Sequence, residues 1–224
     1  GALIKITDNE VGSSKLELIA HAHQTLSETL SQTLHQICIS QHVGLVSLGQ
    51  CQVQYSQLAA GLVSELLQKS GLEAEQIRAI GSHGVTIGHY PEHSSPFTLQ
   101  IGDGSYLAEL TGIDVINDFR MADVASGGQG APLVPPFHQA IVPKSAGNLV
   151  VLNLGGIANI TVLKAGEDVL GYDTGPANTL LNLWCQQHLQ KSYDDKGTWA
   201  KSGQMNQELL AILLDETYFK LPAP

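Results

Sequence analysis

The 224-residue sequence predicts a mixed α/β protein, with helices on the faces of a sheet, and three observations support this fold class. The run 15–23 alternates apolar and polar residues with the period of a half-buried strand. The runs 24–40 and 205–216 instead repeat their apolar residues at helical spacing. Strand-like and helix-like runs also follow one another along the chain, which is typical of α/β folds.

The first part of the chain contains several predicted elements. Strands are predicted at residues 2–6, 15–23, 77–84 and 113–119, the last ending on Asp118. Helices are predicted at residues 24–40, about 56–69 and near 104–111. Pro, Ser, Gly and Asn then cluster at 143–148, which indicates a boundary between a first domain, 1–147, and a second, 148–224.

The strand and helix pattern starts again in the second domain. Residues 148–163 are predicted to form a hairpin around a pair of glycines, and residues 167–175 a third strand with Asp173 near its C-terminal end. A helix is predicted over 176–190, with Pro176 in its first turn, where a missing N–H has no cost. A last helix follows at 205–216.

Composition argues against several classes of partner and location. The net charge is −10 with only 11 Lys and Arg residues, which argues against binding to nucleic acid or to an anionic membrane. No apolar stretch approaches the ~20 residues that a membrane span needs. Three widely spaced cysteines and the absence of a signal peptide favour a cytoplasmic protein with reduced thiols. Because the sequence begins abruptly in a strand-like run, we expect it to be cut at this end.

The paired glycines lie in the motif NLGGIAN, residues 153–159. Gly155 and Gly156 can adopt a positive φ and let the backbone approach a ligand closely, and successive free N–H groups there would suit a phosphate. A tight structural turn explains the same glycines equally well. Asn153 and Asn159 flank the turn as amide side chains within strand-like runs. Both interpretations stay open on these residues alone.

Asp173, in the motif GYDTGPAN, is predicted between a strand and a helix N-terminus, where α/β folds place their sites. The helix dipole there would keep a carboxylate ionised, and an ionised, partly desolvated carboxylate suits a general base. The alternative is a structural one, in which Asp173 or Thr174 caps the helix.

The segment 117–139 concentrates Asp118, Arg120, Asp123 and Gln129 in a stretch that is otherwise rich in Gly, Ala and Pro. Long irregular connections inside a compact domain are often functional. Arg120 can hold a carboxylate or phosphate through a bidentate contact. It can equally form a salt bridge with one of the neighbouring aspartates.

Histidines also cluster in the sequence, at His83, His89 and His93. Their spacing matches no standard zinc pattern, and no Cys or Glu pair completes a ligand set. The side-chain motifs therefore predict no metal site.

Several long motifs resemble the 1,6-anhydro-N-acetylmuramic acid kinases. They are IGSHGVTIGHYP at 80–91, TLQIGDGSYLAELTGIDVINDFRMADVASGGQGAPLVPPFHQ at 98–139, VVLNLGGIANITVL at 150–163 and GYDTGPANTLL at 171–181. The resemblance runs from about residue 77 to 203. The sequence departs from the family at Val85 and Gly88, where the family often has a glutamine and a basic residue.

The resemblance implies a ribonuclease H-like, actin-like ATPase fold with two lobes and ATP in the cleft between them. Residues 1–147 would be the first lobe without its first strand and phosphate loop, and 148–224 the start of the second lobe, so that the sequence is truncated at both ends. It also implies a cytoplasmic enzyme that forms a homodimer, with a sugar and ATP as its partners and no nucleic acid or membrane.

The resemblance further implies an ATP- and Mg²⁺-dependent reaction of bacterial cell-wall recycling. Asp173 would be the general base for a water that opens 1,6-anhydro-N-acetylmuramic acid, and O6 would then take the γ-phosphoryl group to give N-acetylmuramic acid 6-phosphate. The implied phosphate-binding residues are Asn153, Gly155, Gly156 and Asn159. The implied sugar-binding residues are His83, Asp118, Arg120, Gln129, Gly130 and Asn178.

Two other functions are compatible with the residues. An ATP-independent carbohydrate hydrolase would use Asp118 and Asp173 as a carboxylate pair. A non-catalytic, actin-like binding module would use Asp173 only as a helix cap. The kinase differs from both because it requires ATP for any product.

Overall fold

The computed structural model describes residues 1–8, 14–142 and 147–221. They form two compact units, Gly1–Ala131 and Pro132–Pro224, and each contains both helices and strands, which confirms the predicted α/β class. The division falls earlier in the chain than the boundary predicted near residue 147. Residues 143–146 of that predicted boundary lie outside the described part of the chain.

The first unit contains three small sheets of two strands each within its described residues. Its strands are β1 (Ala2–Asp8), β2 (Ser14–His21), β3 (Ile80–Gly81), β4 (Val85–Tyr90), β5 (Phe97–Ile101) and β6 (Val115–Ile116). Its helices are α1 (Glu28–Ser40), α2 (Leu45–Ser70), α3 (Gly104–Thr111) and α4 (Phe119–Ala125), with a 3₁₀ helix at Ala74–Gln76. β1 pairs with β2 and β4 with β5 in antiparallel fashion, whereas β3 and β6 pair in parallel.

Most predicted elements at the start of this unit are confirmed. β1, β2 and α3 lie where they were predicted, and α1 begins later because Ser27 is its N-cap, with the Ser27 Oγ accepting a 3.2 Å hydrogen bond from the Leu30 N–H. α2 begins well before the predicted helix, because residues 50–54 alternate polar and apolar side chains and hide the helical period. It ends at Gly71, which takes the left-handed φ of 68° that glycine favours.

Two predicted strands are wrong in extent. Of 77–84 only β3 pairs, and the hairpin of β4 and β5 that follows was not predicted, because a bulge between Thr86 and Gly88 interrupts its alternation. Of 113–119 only β6 pairs. Asp118 does not end a strand; it adopts a left-handed φ of 57° immediately before α4.

The core of the first unit is built where α1 crosses α2 and β5. Leu30, Leu34 and Ile37 form the buried stripe of α1 at helical spacing and pack with Cys51 of α2 and Ile101 of β5. Ile101 anchors β5 in this core, and α4 packs against β5. Within the described ranges, no helix is long and apolar enough to cross a membrane.

The second unit is one antiparallel sheet of three strands with helices around it. Its strands, in the order β7–β8–β9, are β7 (Leu149–Leu154), β8 (Ile157–Leu163) and β9 (Leu170–Pro176). Its helices are α5 (Pro135–Ile141), α6 (Asn178–Leu189), α7 (Thr198–Ser202) and α8 (Gln207–Leu214), with 3₁₀ helices at Asp195–Gly197 and Thr217–Lys220.

The predicted hairpin, third strand and last helix are therefore confirmed. The predicted position of Pro176 is wrong: it is the last residue of β9, and Ala177, with φ −127° and ψ −113°, separates it from the first turn of α6. Asp173 lies inside β9, three residues before the strand ends, which confirms its predicted place near the C-terminal end of the third strand.

α5 belongs to the second unit because it packs on β8 and β9. The His138 Nδ1 and the Thr161 Oγ1 lie 2.9 Å apart, and Thr161 is only 1% exposed. Gly171 has no side chain to collide with Pro135, since a Cβ there would overlap the proline ring. These contacts explain why the division between the units precedes α5.

Candidate active site

Three polar residues form a row across the sheet of the second unit. Asn153 of β7 lies directly opposite Asn159 of β8, and Asn159 lies opposite Asp173 of β9. Directly paired residues of neighbouring strands point to the same face of a sheet, so all three side chains lie on one face. We call Asn153, Asn159 and Asp173 the polar row.

A β-bulge adjusts the position of Asp173 in the polar row. The pairing of β8 with β9 shifts between Ala158 and Asn159, which leaves Thr174 as the extra residue. The Thr174 hydroxyl donates to the Ala158 carbonyl at 3.2 Å, and the Tyr218 hydroxyl donates to the Asp173 carbonyl at 2.7 Å. Bulges often re-aim side chains next to active sites, and this one fixes the backbone of Asp173 while its carboxylate stays exposed.

The local environment predicted for Asp173 is wrong in two respects. The carboxylate is exposed and not desolvated within the described chain, and α6 begins at Asn178, beyond the strand that holds Asp173. The field of a helix end falls off within its first turn, so α6 is not the partner that was expected. The capping alternative is also wrong, because Ala177 is the N-cap and makes no side-chain hydrogen bond.

The glycine turn at 155–156 joins β7 to β8 and also closes the start of α6. The Gly155 carbonyl accepts from the Asn178 N–H at 3.0 Å, and the Gly156 carbonyl accepts from the N–H groups of Ala177 at 3.0 Å and Thr179 at 3.1 Å. The turn therefore supplies partners for N–H groups that a helix N-terminus leaves unpaired. The Asn178 side chain donates to the Leu154 carbonyl at 3.0 Å, so this predicted sugar-binding residue braces the turn.

The N–H side of the same turn is open. Within the described residues, neither Gly155 nor Gly156 donates a backbone hydrogen bond. Neither glycine adopts the positive φ expected from the sequence. Small size is required at Gly156, where a Cβ would lie 2.6 Å from the Thr179 Oγ1, whereas a Cβ on Gly155 would make only an ordinary contact, 3.6 Å from the Asn153 Nδ2.

Arg120 organises a second cluster of predicted residues, in the first unit. Its Nε donates to the His83 Nε2 at 2.8 Å, and its Nη1 donates to the Gly130 carbonyl. A ring nitrogen that accepts carries no proton, so His83 is the neutral tautomer whose Nδ1–H donates to the Gly84 carbonyl at 2.9 Å. The predicted salt bridge is wrong for the described residues, where Arg120 forms no ion pair with Asp118 or Asp123.

Asp123 fixes the glycine loop that follows α4. Its Oδ2 accepts from the Gly130 N–H at 2.7 Å and its carbonyl accepts from the Gly128 N–H at 2.9 Å. Gly130 is buried with φ 70°, so the backbone on both sides of it is held, by Asp123 and by Arg120. Gln129, directly before it, is exposed.

The structure therefore brings together His83, Arg120 and Gly130, with Gln129 beside them, while the Asp118 side chain is exposed and makes no capping bond. The sequence indicated Asp123 only as an alternative salt-bridge partner of Arg120, and its contact with the loop was not predicted. The sequence signal for this contact was the spacing of seven residues between Asp123 and Gly130. A helix that is followed by a glycine loop can bring two residues at that spacing into contact.

Polar residues of β4 and β5 adjoin this cluster and were also missed. The His89 Nδ1 lies 3.1 Å from the Thr98 Oγ1, which in turn accepts from the Gln100 Nε2 at 2.7 Å. His89 also contacts Gly130, where a Cβ would lie 3.3 Å from the His89 Cε1. Thr98 and Gln100 alternate with apolar residues, and this alternation could have predicted the strand β5 and the shared face of the two polar side chains.

The polar row and the cluster around Arg120 contain no metal-binding group of side chains among the described residues, and residues of α2 and of the segment before α7 have a shifted pKa. Among the described residues, no three His, Cys, Asp or Glu side chains come close enough to hold a metal ion. Burial raises the pKa of the Cys51 thiol and of the Tyr55 phenol in α2. Hydrogen bonds from the backbone N–H groups of Ala200 and Trp199 lower the pKa of the Asp194 carboxyl before α7.

By itself this geometry defines only a class: an α/β protein with an open glycine turn, a polar row and an organised arginine. Comparison with known proteins identifies the family. The family model for anhydro-N-acetylmuramic acid kinase matches residues 2–224. The chain belongs to the anhydro-N-acetylmuramic acid kinase family.

Individual relatives agree with this assignment. The anhydro-N-acetylmuramic acid kinase of Vibrio cholerae is 47% identical over 223 residues, which is 100% of this chain and 59% of the relative. That of Pasteurella multocida is 48% identical over 208 residues, 93% of this chain and 55% of the relative. That of Xylella fastidiosa is 47% identical over 224 residues, 100% of this chain and 58% of the relative. The chain thus spans less than two thirds of the length of these relatives.

Proposed function

We propose that the complete protein is an ATP-dependent kinase. It hydrolytically opens 1,6-anhydro-N-acetylmuramic acid and phosphorylates O6, giving N-acetylmuramic acid 6-phosphate for bacterial cell-wall recycling. The observation that carries this proposal is the family match over residues 2–224, which favours a kinase over a hydrolase or a binding module. The proposal includes a cytoplasmic location and a homodimer, both from the sequence resemblance alone.

The fold proposed for the complete protein is ribonuclease H-like and actin-like, with the two units of this chain as parts of its two lobes. The restart of strands at β7, after the helices of the first unit, supports this arrangement. The sequence pattern predicts a first domain of residues 1–147 and a second that begins at 148, which differs from the division of the units only in the assignment of residues 132–147, including α5.

The glycine turn is the proposed contact for the phosphate groups of ATP. Open N–H groups at Gly155 and Gly156, with no side chain in the way, fit an anion, and Asn153 adds an amide beside them. The first two N–H groups of α6, those of Asn178 and Thr179, are already paired with carbonyls of the turn. Mg²⁺ is proposed as well; it needs only one or two carboxylates beside the phosphates, and it would neutralise charge during transfer.

Asp173 is the proposed general base. Its exposed carboxylate takes a proton from a water whose oxygen attacks C1, the bond from C1 to O6 breaks, and O6 leaves with the electron pair. O6 then attacks the γ-phosphorus of ATP and ADP leaves, so the leaving group of the first step is the nucleophile of the second. Asn159, next to Asp173 in the polar row, has an amide suited to orienting the water.

The test is a product analysis with the complete protein and 1,6-anhydro-N-acetylmuramic acid, with and without ATP and Mg²⁺. We expect a product heavier by one water and one phosphoryl group, and only when ATP is present. A ring-opened sugar without phosphate in the absence of ATP would replace the kinase by a hydrolase. Binding of the sugar without any product would favour the binding module.

A further inference from the structure

Arg120 carries a charge that the described residues do not neutralise. Its side chain is half-buried, and the ion pairs within 4.0 Å in the described chain join other residues: Lys69 with Glu65, Lys164 with Glu167, and Lys220 with Asp215. The Asp123 carboxylate, which accepts from the Gly130 N–H, also forms no ion pair with Arg120 within 4.0 Å. A partly desolvated cation without a counter-charge is costly unless a ligand supplies one.

The guanidinium is nevertheless held in a fixed orientation. Its Nε and Nη1 are bound by two neutral acceptors, the His83 ring and the Gly130 carbonyl, which come from separate segments of the unit. Neither acceptor cancels the charge, and the remaining N–H groups of the planar fork have no partner among the described residues. Such a fork matches the two oxygens of a carboxylate.

Most backbone N–H groups of the adjacent glycine loop already have acceptors within the chain. The N–H groups of Ser126 and Gly127 donate to carbonyls of α4, and those of Gly128 and Gly130 donate to Asp123. With these N–H groups already paired, the charge of Arg120 is the main anion-attracting feature of this cluster. Gln129, exposed beside it, offers a neutral amide to the same ligand.

We propose that Arg120 binds the lactyl carboxylate of the muramic acid sugar and so selects acidic over neutral 1,6-anhydro sugars. The proposal rests on the proposed function for the identity of the sugar. The lactyl group is the one charged part of that substrate, and it distinguishes the substrate from 1,6-anhydro-N-acetylglucosamine. A phosphate of ATP is the other anion present, but the open N–H groups of the glycine turn already suit it.

The test measures binding of the two sugars to the complete protein by calorimetry, in the wild type, Arg120→Gln and Asp123→Asn. We expect the wild type to prefer the acidic sugar and Arg120→Gln to reduce that preference about 10- to 100-fold, the range for a charge-assisted hydrogen bond. Asp123→Asn loosens the loop but keeps the guanidinium, so it should weaken both sugars equally. Arg120→Lys keeps the positive charge but lacks the planar fork. Its preference for the acidic sugar should therefore lie between those of Arg120→Gln and the wild type.

Each outcome decides the proposal. An unchanged preference in Arg120→Gln, or no preference in the wild type, would overturn it. Weaker binding of ATP with the sugar preference intact would assign Arg120 to the nucleotide instead. Because binding is measured without turnover, a wild type that prefers the acidic sugar but forms no phosphorylated product would leave this inference standing and remove the proposed kinase.

Discussion

The loop 126–130 and the turn 155–156 are both glycine-rich, yet they use their backbone N–H groups in opposite ways. In the loop, the Gly128 and Gly130 N–H groups point inward to Asp123. In the turn, the carbonyls of Gly155 and Gly156 point inward to α6, and their N–H groups are open within the described chain.

Glycine content alone therefore does not identify a phosphate site. What matters is whether the N–H groups already have acceptors, because an N–H bound to a carboxylate or carbonyl is no longer available to an anion. The turn therefore suits a phosphate, and the loop suits a neutral part of a ligand with Arg120 as its charge. Variants of the turn and of the loop should therefore have different effects on ATP binding and on stability.

The largest effect is expected from Asp173→Asn, on the side of the turn. Removing the proposed base should lower kcat by about 10²–10⁴-fold with little change in sugar binding. Asp168→Asn is the matched control, because Asp168 is an exposed aspartate of the same unit outside the polar row. Steady-state kinetics of the complete protein with both variants is the measurement. Equal losses in the two variants would remove Asp173 from catalysis.

A second prediction concerns the close contact beneath the turn. In Gly156→Ala the new Cβ would lie 2.6 Å from the Thr179 Oγ1, so the turn or the Thr179 side chain must move. We expect a loss of about 1–3 kcal/mol in the free energy of unfolding, as for other overpacked sites. The displaced N–H groups should also raise KM for ATP. Urea unfolding and ATP kinetics measure the two effects.

The double variant Gly156→Ala/Thr179→Ala provides the control. It removes the Oγ1 and leaves the Thr179 Cβ 3.9 Å away, an ordinary contact, so it should recover most of the lost stability. Gly155→Ala should hardly change stability, because its nearest neighbour is the Ile157 carbonyl at 3.5 Å. No recovery in the double variant would show that the contact with Thr179 is not the cause.

The local features of the second unit could be predicted from the sequence, whereas features that depend on contacts between its elements could not. The hairpin, the strand of Asp173 and the residues of the polar row follow from alternation and turn residues, which are local properties. The environment of Asp173 could not be predicted in this way. It depends on the bulge at Thr174 and on Ala177 as N-cap, and both result from pairing with β8 and the turn.

Arg120 shows the same limit in the first unit. The sequence indicates a cation beside two aspartates, and a salt bridge is the simplest expectation from proximity along the chain. The fold instead brings His83 and Gly130 to the guanidinium, and gives Asp123 to the loop. His83 lies 37 residues from Arg120 in sequence, so periodicity contains no information about that contact.

A third prediction tests the inward N–H groups of the loop. Asp123→Ala leaves the buried Gly130 N–H without its acceptor, which should cost about 1–3 kcal/mol in the free energy of unfolding. Asp114→Ala, at an exposed aspartate of the same unit, should change it by less than about 0.5 kcal/mol. Urea unfolding compares the two. An unchanged free energy of unfolding in Asp123→Ala would mean that water replaces the lost acceptor. The loop N–H groups would then be as open to an external acceptor as those of the turn.

The smallest effect concerns Asp194, which holds backbone N–H groups as Asp123 does, but those of Trp199 and Ala200, which are less buried than Gly130. Its Oδ1 accepts from the Trp199 N–H and its Oδ2 from the Ala200 N–H, both at 2.9 Å, and these bonds lower the pKa of the carboxyl. A carboxyl whose folded pKa is lowered stabilises the fold above its unfolded pKa, and that stabilisation is lost as pH falls through the folded pKa.

The N–H resonances of Trp199 and Ala200 should therefore shift together in an NMR titration, with a midpoint below the usual aspartate range. Asp194→Asn should abolish that shift, and Asp195→Asn, at the neighbouring exposed aspartate, should leave it in place. A midpoint in the usual range or above would mean that a surface carboxylate gains nothing from two N–H donors. Burial of the Gly130 N–H would then have to explain how firmly Asp123 holds the loop, and the contrast between loop and turn would rest on burial as well as on hydrogen bonds.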